Sequence, residues 1–213
     1  MADVDVTVIG GGIVGCAVAA RTAGAGLSTV LVERDRLLGA GTTSRNSEVV
    51  HGGMYYPTGS HKARYCVAGR RLLKEFCELA GVRYRECGKL IVAVTPDEIP
   101  ELERLHDLGT ANGVEDLRLL DTDEVMSLEP DVRAGAALWS PRTAVVDAEG
   151  AARAYGLQAR HAGAQIMTGY ELTCLESTNG GWTVTVDPPA GSGREVWAHT
   201  SRWVVNAAGL YSD

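Results

Sequence analysis

The sequence predicts an α/β fold, in which a three-layer domain is built on a parallel sheet and an α+β segment is inserted into that domain. Near the N-terminus a strand pattern, a glycine-rich turn, an alanine-rich helix and a second strand pattern follow one another within about 30 residues. Helix-capping signals then alternate with short apolar runs. The segment 164–205 has the alternation that is typical of successive strands.

Composition and charge argue against several classes of protein. The chain has 213 residues, 45% hydrophobic and 22% charged, which is ordinary for one large or two small globular domains. Its formal net charge of -7 and pI near 5.3 argue against a nucleic-acid surface, which usually needs a basic stripe. No apolar window of about 18 residues is present, so we expect no membrane-spanning helix. The start lacks the basic region of a signal peptide.

The first 60 residues predict a strand–helix–strand unit and then a long loop. Residues 4–9, VDVTVI, suit a buried strand, and the segment IVGCAVAARTAGAG suits a helix that ends at Gly24 or Gly26. Residues 28–33, STVLVE, repeat the buried-strand pattern. Residues 34–60 are rich in glycine and polar side chains, and long loops of this kind are usually functional or disordered.

The middle of the chain predicts helices separated by short strands. Ser60 is placed to cap a helix over 61–80 that Gly81 ends. The runs VRYRE and KLIVAV predict two strands that pair with each other. Capping boxes in TPDE and DTDE predict a helix over about 96–110 and a second, short helix. A further strand is expected near 134–139.

The last third predicts one helix followed by five strands. Asp147 is placed to cap an alanine-rich helix. The strand patterns that follow are AQIMT, YELTCLES, WTVTVD, REVWAHT and RWVVN. Gly180-Gly181 and the turn PPAGSG separate the middle three, as in a meander.

The cysteines and histidines show no spacing typical of a disulfide framework or a metal site. Five cysteines is an odd number and no pair is spaced C-x-x-C, so we expect reduced core thiols in a cytoplasmic protein and no bound metal. A peripheral contact at the inner face of the membrane is left open. The residues are Cys16, Cys66, Cys77, Cys87, Cys174, His51, His61, His106, His161 and His199.

The turn after the first strand pattern carries G-x-G-x-x-G, with Gly10, Gly12 and Gly15. It opens a helix, and Glu33 ends the next strand 18 residues beyond Gly15, close to the usual spacing of about 20. In such turns a pyrophosphate approaches the second glycine and the helix N-terminus, and the acid accepts ribose hydroxyls. A dinucleotide site is therefore expected. The alternative is a glycine-rich turn beside a surface glutamate.

The motif alone does not separate NAD from FAD, but its position favours FAD. It lies at the N-terminus, a long polar loop follows, and the sequence NAAG appears only near residue 206, after the meander. Flavoproteins with two dinucleotide-binding folds have this order of segments.

Several segments together resemble the L-2-hydroxyglutarate oxidases and dehydrogenases, within the FAD-dependent group that includes D-amino-acid oxidases and glycerol-3-phosphate dehydrogenases. They are VTVIGGGIVGCAVA, VLVER, TTSRNSEVVHGGMYYPTGSHKARYCVAGRRLL, SPRTAVVD and VVNAAGLYSD, in the family's order. The stretch N-S-x-V-x-H-x-G-x-Y-Y-x-x-G-S-x-K-A points to the hydroxyglutarate branch. Three features depart from it. Glu48 stands where the family commonly has a small residue, Arg45 stands where the family often has His, and His51-Gly52-Gly53 is closer to the glycerol-3-phosphate branch.

The resemblance implies FAD as the cofactor and a set of residues that hold it. The glycine-rich turn and its acid would hold the adenosine diphosphate part, and the following polar loop would contact the flavin. A backbone contact to the adenine and a close approach near the chain end are also implied. The implied FAD-binding residues are Gly10, Gly12, Ile13, Gly15, Glu33, Arg34, Thr43, Ser44, Asn46, Ser47, Leu172, Ala208 and Gly209.

His51 is the candidate catalytic residue. Oxidation of a 2-hydroxy acid moves a hydride from Cα to the flavin, and the hydroxyl proton must leave as well. A histidine is the side chain best suited to accept that proton near pH 7. Two other roles stay open at this point: a contact to the flavin or loop backbone, and a covalent link to the flavin.

A dicarboxylate substrate needs cationic recognition, preferably by an arginine fork. Arg45 and Lys62 flank the loop, and Tyr55 and Tyr56 could donate hydroxyl groups. These four residues are the predicted substrate-binding set. The alternatives are solvated surface positions for the two cations and packing against the loop for the two tyrosines.

These observations predict an incomplete FAD-binding domain over 1–80 and 145–213, with 81–144 as part of a substrate domain. The expected function is FAD-dependent oxidation of a 2-hydroxy acid, L-2-hydroxyglutarate to 2-oxoglutarate, with oxygen or a quinone as electron acceptor. The alternatives are oxidation of glycerol 3-phosphate or an amino acid, and a flavin-binding polypeptide without activity. Members of the resembled family continue for roughly as long again, so we expect the chain to be a fragment of the functional unit.

Overall fold

The computed structural model describes residues 2–213, which form two compact units. Unit 1 contains the residues up to Ser47 together with Asp147–Asp213, and unit 2 contains Glu48–Val146. The boundary expected after residue 144 lies close to the observed one. The boundary expected after residue 80 differs, because residues 48–80 pack within unit 2.

The chain contains twelve strands and five α-helices among the described residues. The strands are β1 (Val4–Ile9), β2 (Thr29–Glu33), β3 (Val49–Val50), β4 (Tyr84–Glu86), β5 (Leu90–Ala93), β6 (Arg118–Asp121), β7 (Ala136–Trp139), β8 (Ala144–Val146), β9 (Gln165–Thr168), β10 (Glu171–Thr178), β11 (Gly181–Asp187) and β12 (Trp197–Asn206). The helices are α1 (Ile13–Gly24), α2 (His61–Ala80), α3 (Ile99–Ala111), α4 (Thr122–Leu128) and α5 (Ala148–His161).

Unit 1 is built on one six-stranded sheet in the order β10-β11-β12-β1-β2-β9. Strands β12, β1, β2 and β9 run parallel, whereas β10, β11 and β12 form the expected antiparallel meander. The prediction of two separate strands in REVWAHT and RWVVN was wrong. Strand β12 is continuous: its first half pairs with β11, Ser201 pairs with both neighbours, and its second half pairs with β1.

Both faces of this parallel sheet are covered, so four consecutive residues of β1 and four of β2 are buried. On one face Val8 and Leu31 pack with Cys16 and Ala19 of α1 and with Ala159 of α5. On the other face, Val30 and Val32 share a core with residues 184 and 186 of β11. Parallel strands with helices packed against them confirm the predicted α/β fold class.

Unit 2 contains two three-stranded antiparallel sheets, in the orders β3-β8-β4 and β5-β7-β6. The predicted pairing of VRYRE with KLIVAV was wrong, because β4 pairs with β8 and β5 pairs with β7. The connection over residues 87–89 carries the chain from one sheet to the other. Strands β3, β6 and β8 were not predicted.

The helix signals of unit 2 act as expected. The Ser60 side chain accepts a hydrogen bond from Ala63 N at the start of α2, and Gly81 ends the helix with a φ of 68°. Asp121 accepts from Glu124 N at the start of α4. The helix expected from residue 96 begins as a 3-10 turn over Pro96–Glu98, and α3 follows directly.

All five cysteines are free. Cys16 and Cys77 are buried, as expected for core thiols, and burial raises the pKa of Cys16 to about 12, so that this thiol stays protonated. The same expectation was wrong for Cys87 and Cys174, which are exposed. Across residues 2–213, no helix combines the length and the apolar character needed to cross a bilayer.

Candidate functional site

The glycine-rich turn between β1 and α1 is shaped by close backbone packing. Gly10 has a φ of 104°, and a Cβ at this position would clash with the Ala207 carbonyl oxygen. A Cβ at Gly15 would clash with the Gly10 carbonyl oxygen in the same way. These two glycines allow α1 to begin directly against the ends of β1 and β12.

The second glycine of the motif, Gly12, is approached by a single side chain. A Cβ built on Gly12 would meet one atom within 4 Å, the Thr43 hydroxyl oxygen at 3.2 Å. Gly12 is the N-cap of α1 and supplies no side-chain cap, while Ile13 N donates to Thr43 Oγ1 at 3.1 Å. A phosphate group can therefore approach the backbone here and meet the positive end of the α1 dipole.

Glu33 lies beside this turn at the end of β2. Its Oε2 accepts a hydrogen bond from Gly11 N at 2.5 Å, and its Oε1 accepts from Asp35 N at 2.7 Å. An ionised carboxylate offers about four lone-pair sites, so two of them remain for hydroxyl donors. The half-buried carboxylate thus positions the turn and keeps capacity for a ribose.

The polar loop after β2 is held by its own hydrogen bonds. Ser44 Oγ donates to the Ala40 carbonyl at 3.0 Å, Arg45 Nη1 to the same carbonyl at 2.7 Å, and Asn46 Nδ2 to the Thr43 carbonyl at 2.6 Å. Ser47 is exposed. These side chains shape the loop that brings Thr43 to α1, and their contacts to a flavin stay predictions.

The end of β12 lies beside the glycine-rich turn and Glu33, and these three segments of unit 1 together form a cradle. Ala207 N donates to the Ile9 carbonyl at 2.8 Å, and Ala208 Cα lies 3.0 Å from where a Gly10 Cβ would stand. Gly209 follows with a φ of 63°. Leu172 and Ala208 pack on the same apolar cluster, and the Arg34 guanidinium lies 3.7 Å from the ring centroid of Tyr211.

In unit 2, the loop that carries His51 is anchored to α3. Met54 is 1% exposed and packs with Leu102 and Leu105 of that helix. The side chain of Asn112, at the end of α3, donates to the carbonyls of Gly53 at 3.0 Å and Tyr56 at 2.8 Å. The sequence did not indicate this role, because Asn followed by Gly after a helix reads as a C-terminal cap.

The anchored loop assembles three of the predicted residues. The ring centroids of His51 and Tyr56 are 6.4 Å apart, and Lys62 Nζ lies 4.9 Å from the Tyr56 centroid. Tyr55 faces a residue that the sequence analysis missed, because Lys89 Nζ donates to its hydroxyl at 2.7 Å. A lysine directly before an apolar run reads as a polar strand boundary, and only the fold reveals its partner.

No group of three or more His, Cys, Asp or Glu side chains in residues 2–213 is arranged to hold a metal ion. The parallel sheet, the glycine-rich turn that begins α1 and the acid at the end of β2 define a dinucleotide-binding protein. Within that class, the chain belongs to the DAO family of FAD dependent oxidoreductases, whose family model matches residues 5–213.

Two curated relatives of this chain are named after the same substrate. It is 39% identical to the mitochondrial L-2-hydroxyglutarate dehydrogenase of Mus musculus, over 96% of this chain and 46% of that protein. The Homo sapiens enzyme of the same name is 36% identical, over 98% and 46%. The chain thus spans about half the length of these curated relatives.

A solved structure supports the same fold. The L-alpha-glycerophosphate oxidase of Mycoplasma pneumoniae, determined with FAD bound, superposes with a TM-score of 0.84 at 28% identity. The match covers 94% of this chain and 53% of the oxidase.

Proposed function

We propose that this chain binds FAD in the cradle of unit 1 and takes part in the oxidation of L-2-hydroxyglutarate to 2-oxoglutarate. The observation that carries the cofactor assignment is the glycine-rich start of α1, where Gly12 supplies no side-chain cap and the Glu33 carboxylate lies beside the turn. The substrate assignment is supported by the relatives that carry this substrate in their names.

Each part of the cradle has a role in this proposal. The backbone at Gly12 and Ile13 binds the pyrophosphate, and Glu33 accepts the ribose hydroxyls. Arg34 and Leu172 lie toward the adenosine part of the ligand. Contacts to the flavin come from the remaining predicted residues, which are Thr43, Ser44, Asn46, Ser47, Ala208 and Gly209.

The residues of unit 2 supply substrate chemistry. FAD, when bound, would supply the acceptor for the hydride that leaves the substrate Cα. His51 takes the proton of the substrate hydroxyl as general base. Lys62 and the Tyr56 hydroxyl bind one substrate carboxylate.

Anaerobic mixing of the FAD-loaded chain with candidate substrates tests this function. L-2-hydroxyglutarate is expected to bleach the flavin absorbance and to yield 2-oxoglutarate. Glycerol 3-phosphate is the second candidate, because the Mycoplasma pneumoniae oxidase shares 28% identity and the fold. If glycerol 3-phosphate is the only compound that bleaches the flavin, glycerol 3-phosphate is the substrate. If the chain binds FAD and no substrate bleaches the flavin, the chain binds the cofactor without catalysing the oxidation.

The role of His51 gives a specific prediction. His51→Asn removes the proton acceptor, so the rate of anaerobic flavin reduction should fall about 10²- to 10⁴-fold while FAD stays bound. Stopped-flow absorbance gives the rate, and flavin content gives the control. If FAD is lost instead, His51 is a cofactor contact, and flavin that survives acid precipitation would indicate a covalent link.

Location and electron acceptor are further parts of the proposal. The mouse and human relatives are named mitochondrial, whereas the expectation for this chain is the cytoplasm, with oxygen or a quinone as acceptor. Cell fractionation and a comparison of turnover with oxygen and with a soluble quinone would test both points.

A further inference from the structure

Lys89 is held rigidly at the start of β5. Its backbone N–H donates to the Ser140 carbonyl at 3.1 Å, and its own carbonyl accepts from Ser140 N at 2.9 Å. The half-buried side chain then extends to Tyr55, with Nζ 2.7 Å from the hydroxyl and 4.7 Å from the ring centroid. A side chain on an anchored backbone with a fixed partner is well suited to hold a ligand in one place.

The charge of Lys89 is not balanced by an acid within residues 2–213. Lys74, by contrast, pairs with Glu86 at 3.2 Å. Lys89 takes part in none of the ion pairs of the described residues; its contacts are the hydroxyl and ring of Tyr55. An ammonium without a carboxylate partner favours an anion from solution.

The hydrogen bond between the two side chains fixes the direction of the remaining donors. The ammonium has three N–H groups and uses one on the tyrosine oxygen. That oxygen accepts from Lys89, so the Tyr55 O–H proton is free to point to another acceptor. Two donors from neighbouring atoms match the two oxygens of one carboxylate.

We propose that the Lys89 ammonium and the Tyr55 hydroxyl form a binding site for one carboxylate of a dicarboxylate substrate. This inference rests on the proposed function and extends it, because it adds a second cation to the one at Lys62. A substrate with two carboxylates needs two such partners, whereas a monocarboxylate needs one. Lys89 is thereby a specificity-determining residue for chain length and charge.

Calorimetric titration of the complete chain with glutarate tests the site without any turnover. Glutarate has both carboxylates of the substrate and no hydroxyl to oxidise. Lys89→Met keeps the length of the side chain and removes its charge, so glutarate should bind about 10- to 150-fold more weakly. Tyr55→Phe keeps the ring and removes one neutral donor, so a loss of about 2- to 12-fold is expected.

Lys74→Met is the matched control, since it removes a lysine of unit 2 that already has an acidic partner. It should bind glutarate like the wild type, and circular dichroism should show all three variants folded. Unchanged glutarate affinity in Lys89→Met, or an equal loss in Lys74→Met, would overturn the site. A wild-type chain that binds no anion would overturn it as well.

Glycerol 3-phosphate in the same titrations separates this inference from the proposed function. If the wild type binds glycerol 3-phosphate in preference to glutarate and Lys89→Met weakens that binding, the anion site stands and the dicarboxylate assignment fails. If glutarate binds, the flavin is bleached by L-2-hydroxyglutarate, and Lys89→Met changes neither, the function stands and the site fails.

Discussion

His199 is a buried imidazole with an incomplete set of partners. Its Nε2 lies 2.7 Å from Thr7 Oγ1, and its ring stacks on Trp197 with centroids 4.0 Å apart. No hydrogen-bond partner meets its buried Nδ1 in the part of the chain described. Burial lowers the pKa of His199 from 6.5, and the nearby charge of Asp3 opposes this shift without cancelling it. The folded protein therefore prefers the neutral ring.

This burial predicts a dependence of stability on pH. Because the folded pKa lies below the unfolded value near 6.5, the unfolded chain binds the proton first as pH falls. The stabilisation is complete above about pH 6.5 and is lost below it, by at most about 1.4 kcal/mol per pH unit. His199→Gln removes this proton uptake. As the pH is lowered below 6.5, the unfolding free energy of the variant, measured by urea denaturation, should therefore fall less steeply than that of the wild type. Parallel curves for the two proteins would contradict the prediction.

At the scale of single residues, the sequence predicts the roles of residues that depend only on their near neighbours in the chain. Gly10, Gly12 and Gly15 follow from the requirements of one turn, and Glu33 follows from its spacing to that turn. Lys89 and Asn112 could not be found in this way, because their partners lie 34 and up to 59 residues away. Such contacts depend on how β5 and α3 pack, which residue spacing does not encode.

Helix α3 determines the conformation of the loop that carries His51. Asn112 uses both amide hydrogens on the Gly53 and Tyr56 carbonyls, and Met54 occupies the core between them. Asn112→Ala should therefore lower the free energy of unfolding by about 1–3 kcal/mol, the sum of two ordinary hydrogen bonds. It should also speed hydrogen exchange at residues 53–56. Urea denaturation and amide exchange measure the two effects.

Asp107→Ala provides the control on the same helix. The Asp107 side chain is 86% exposed, so its removal should change stability by less than about 0.5 kcal/mol and leave loop exchange unaltered. Equal effects of the two substitutions would show that the helix as a whole, rather than the Asn112 amide, holds the loop.

The element predictions succeeded where the signal was local. Ser60 and Gly81 delimit α2 because a cap and a left-handed glycine act within one turn. Strand pairing was harder to predict from the sequence. Strands β4 and β5 are adjacent in sequence, yet each takes its partner from residues 136–146. The predicted break between two strands at Ser201 was wrong, because Ser201 is buried and pairs on both sides within β12.

Across the whole molecule, the proposed FAD cradle is formed by distant segments of unit 1. The turn after β1, the acid at the end of β2 and the backbone after β12 meet at the carboxyl ends of parallel strands. This is the edge at which open α/β sheets bind ligands. Because the cradle exists only when all three strands are paired, FAD should bind the folded unit and have little affinity for the unfolded chain.

Because FAD should bind only the folded unit, the increase in stability that FAD causes tests the cradle. At an FAD concentration of about 100 times Kd, the wild type should gain about 2.7 kcal/mol of stability against urea. Glu33→Ala removes the charged ribose acceptor and should weaken FAD binding by about 10- to 150-fold. At the same FAD concentration, a variant weakened about 100-fold should gain only about 0.4 kcal/mol.

The comparison must be made within each variant, with and without FAD, because Glu33 also accepts from Gly11 N and Asp35 N. Glu33→Ala should therefore be less stable than the wild type even when FAD is absent. Glu176→Ala, at an exposed position of β10, is the control that should keep the full gain. If FAD raises the stability of all three proteins equally, Glu33 does not bind the cofactor and only shapes the turn.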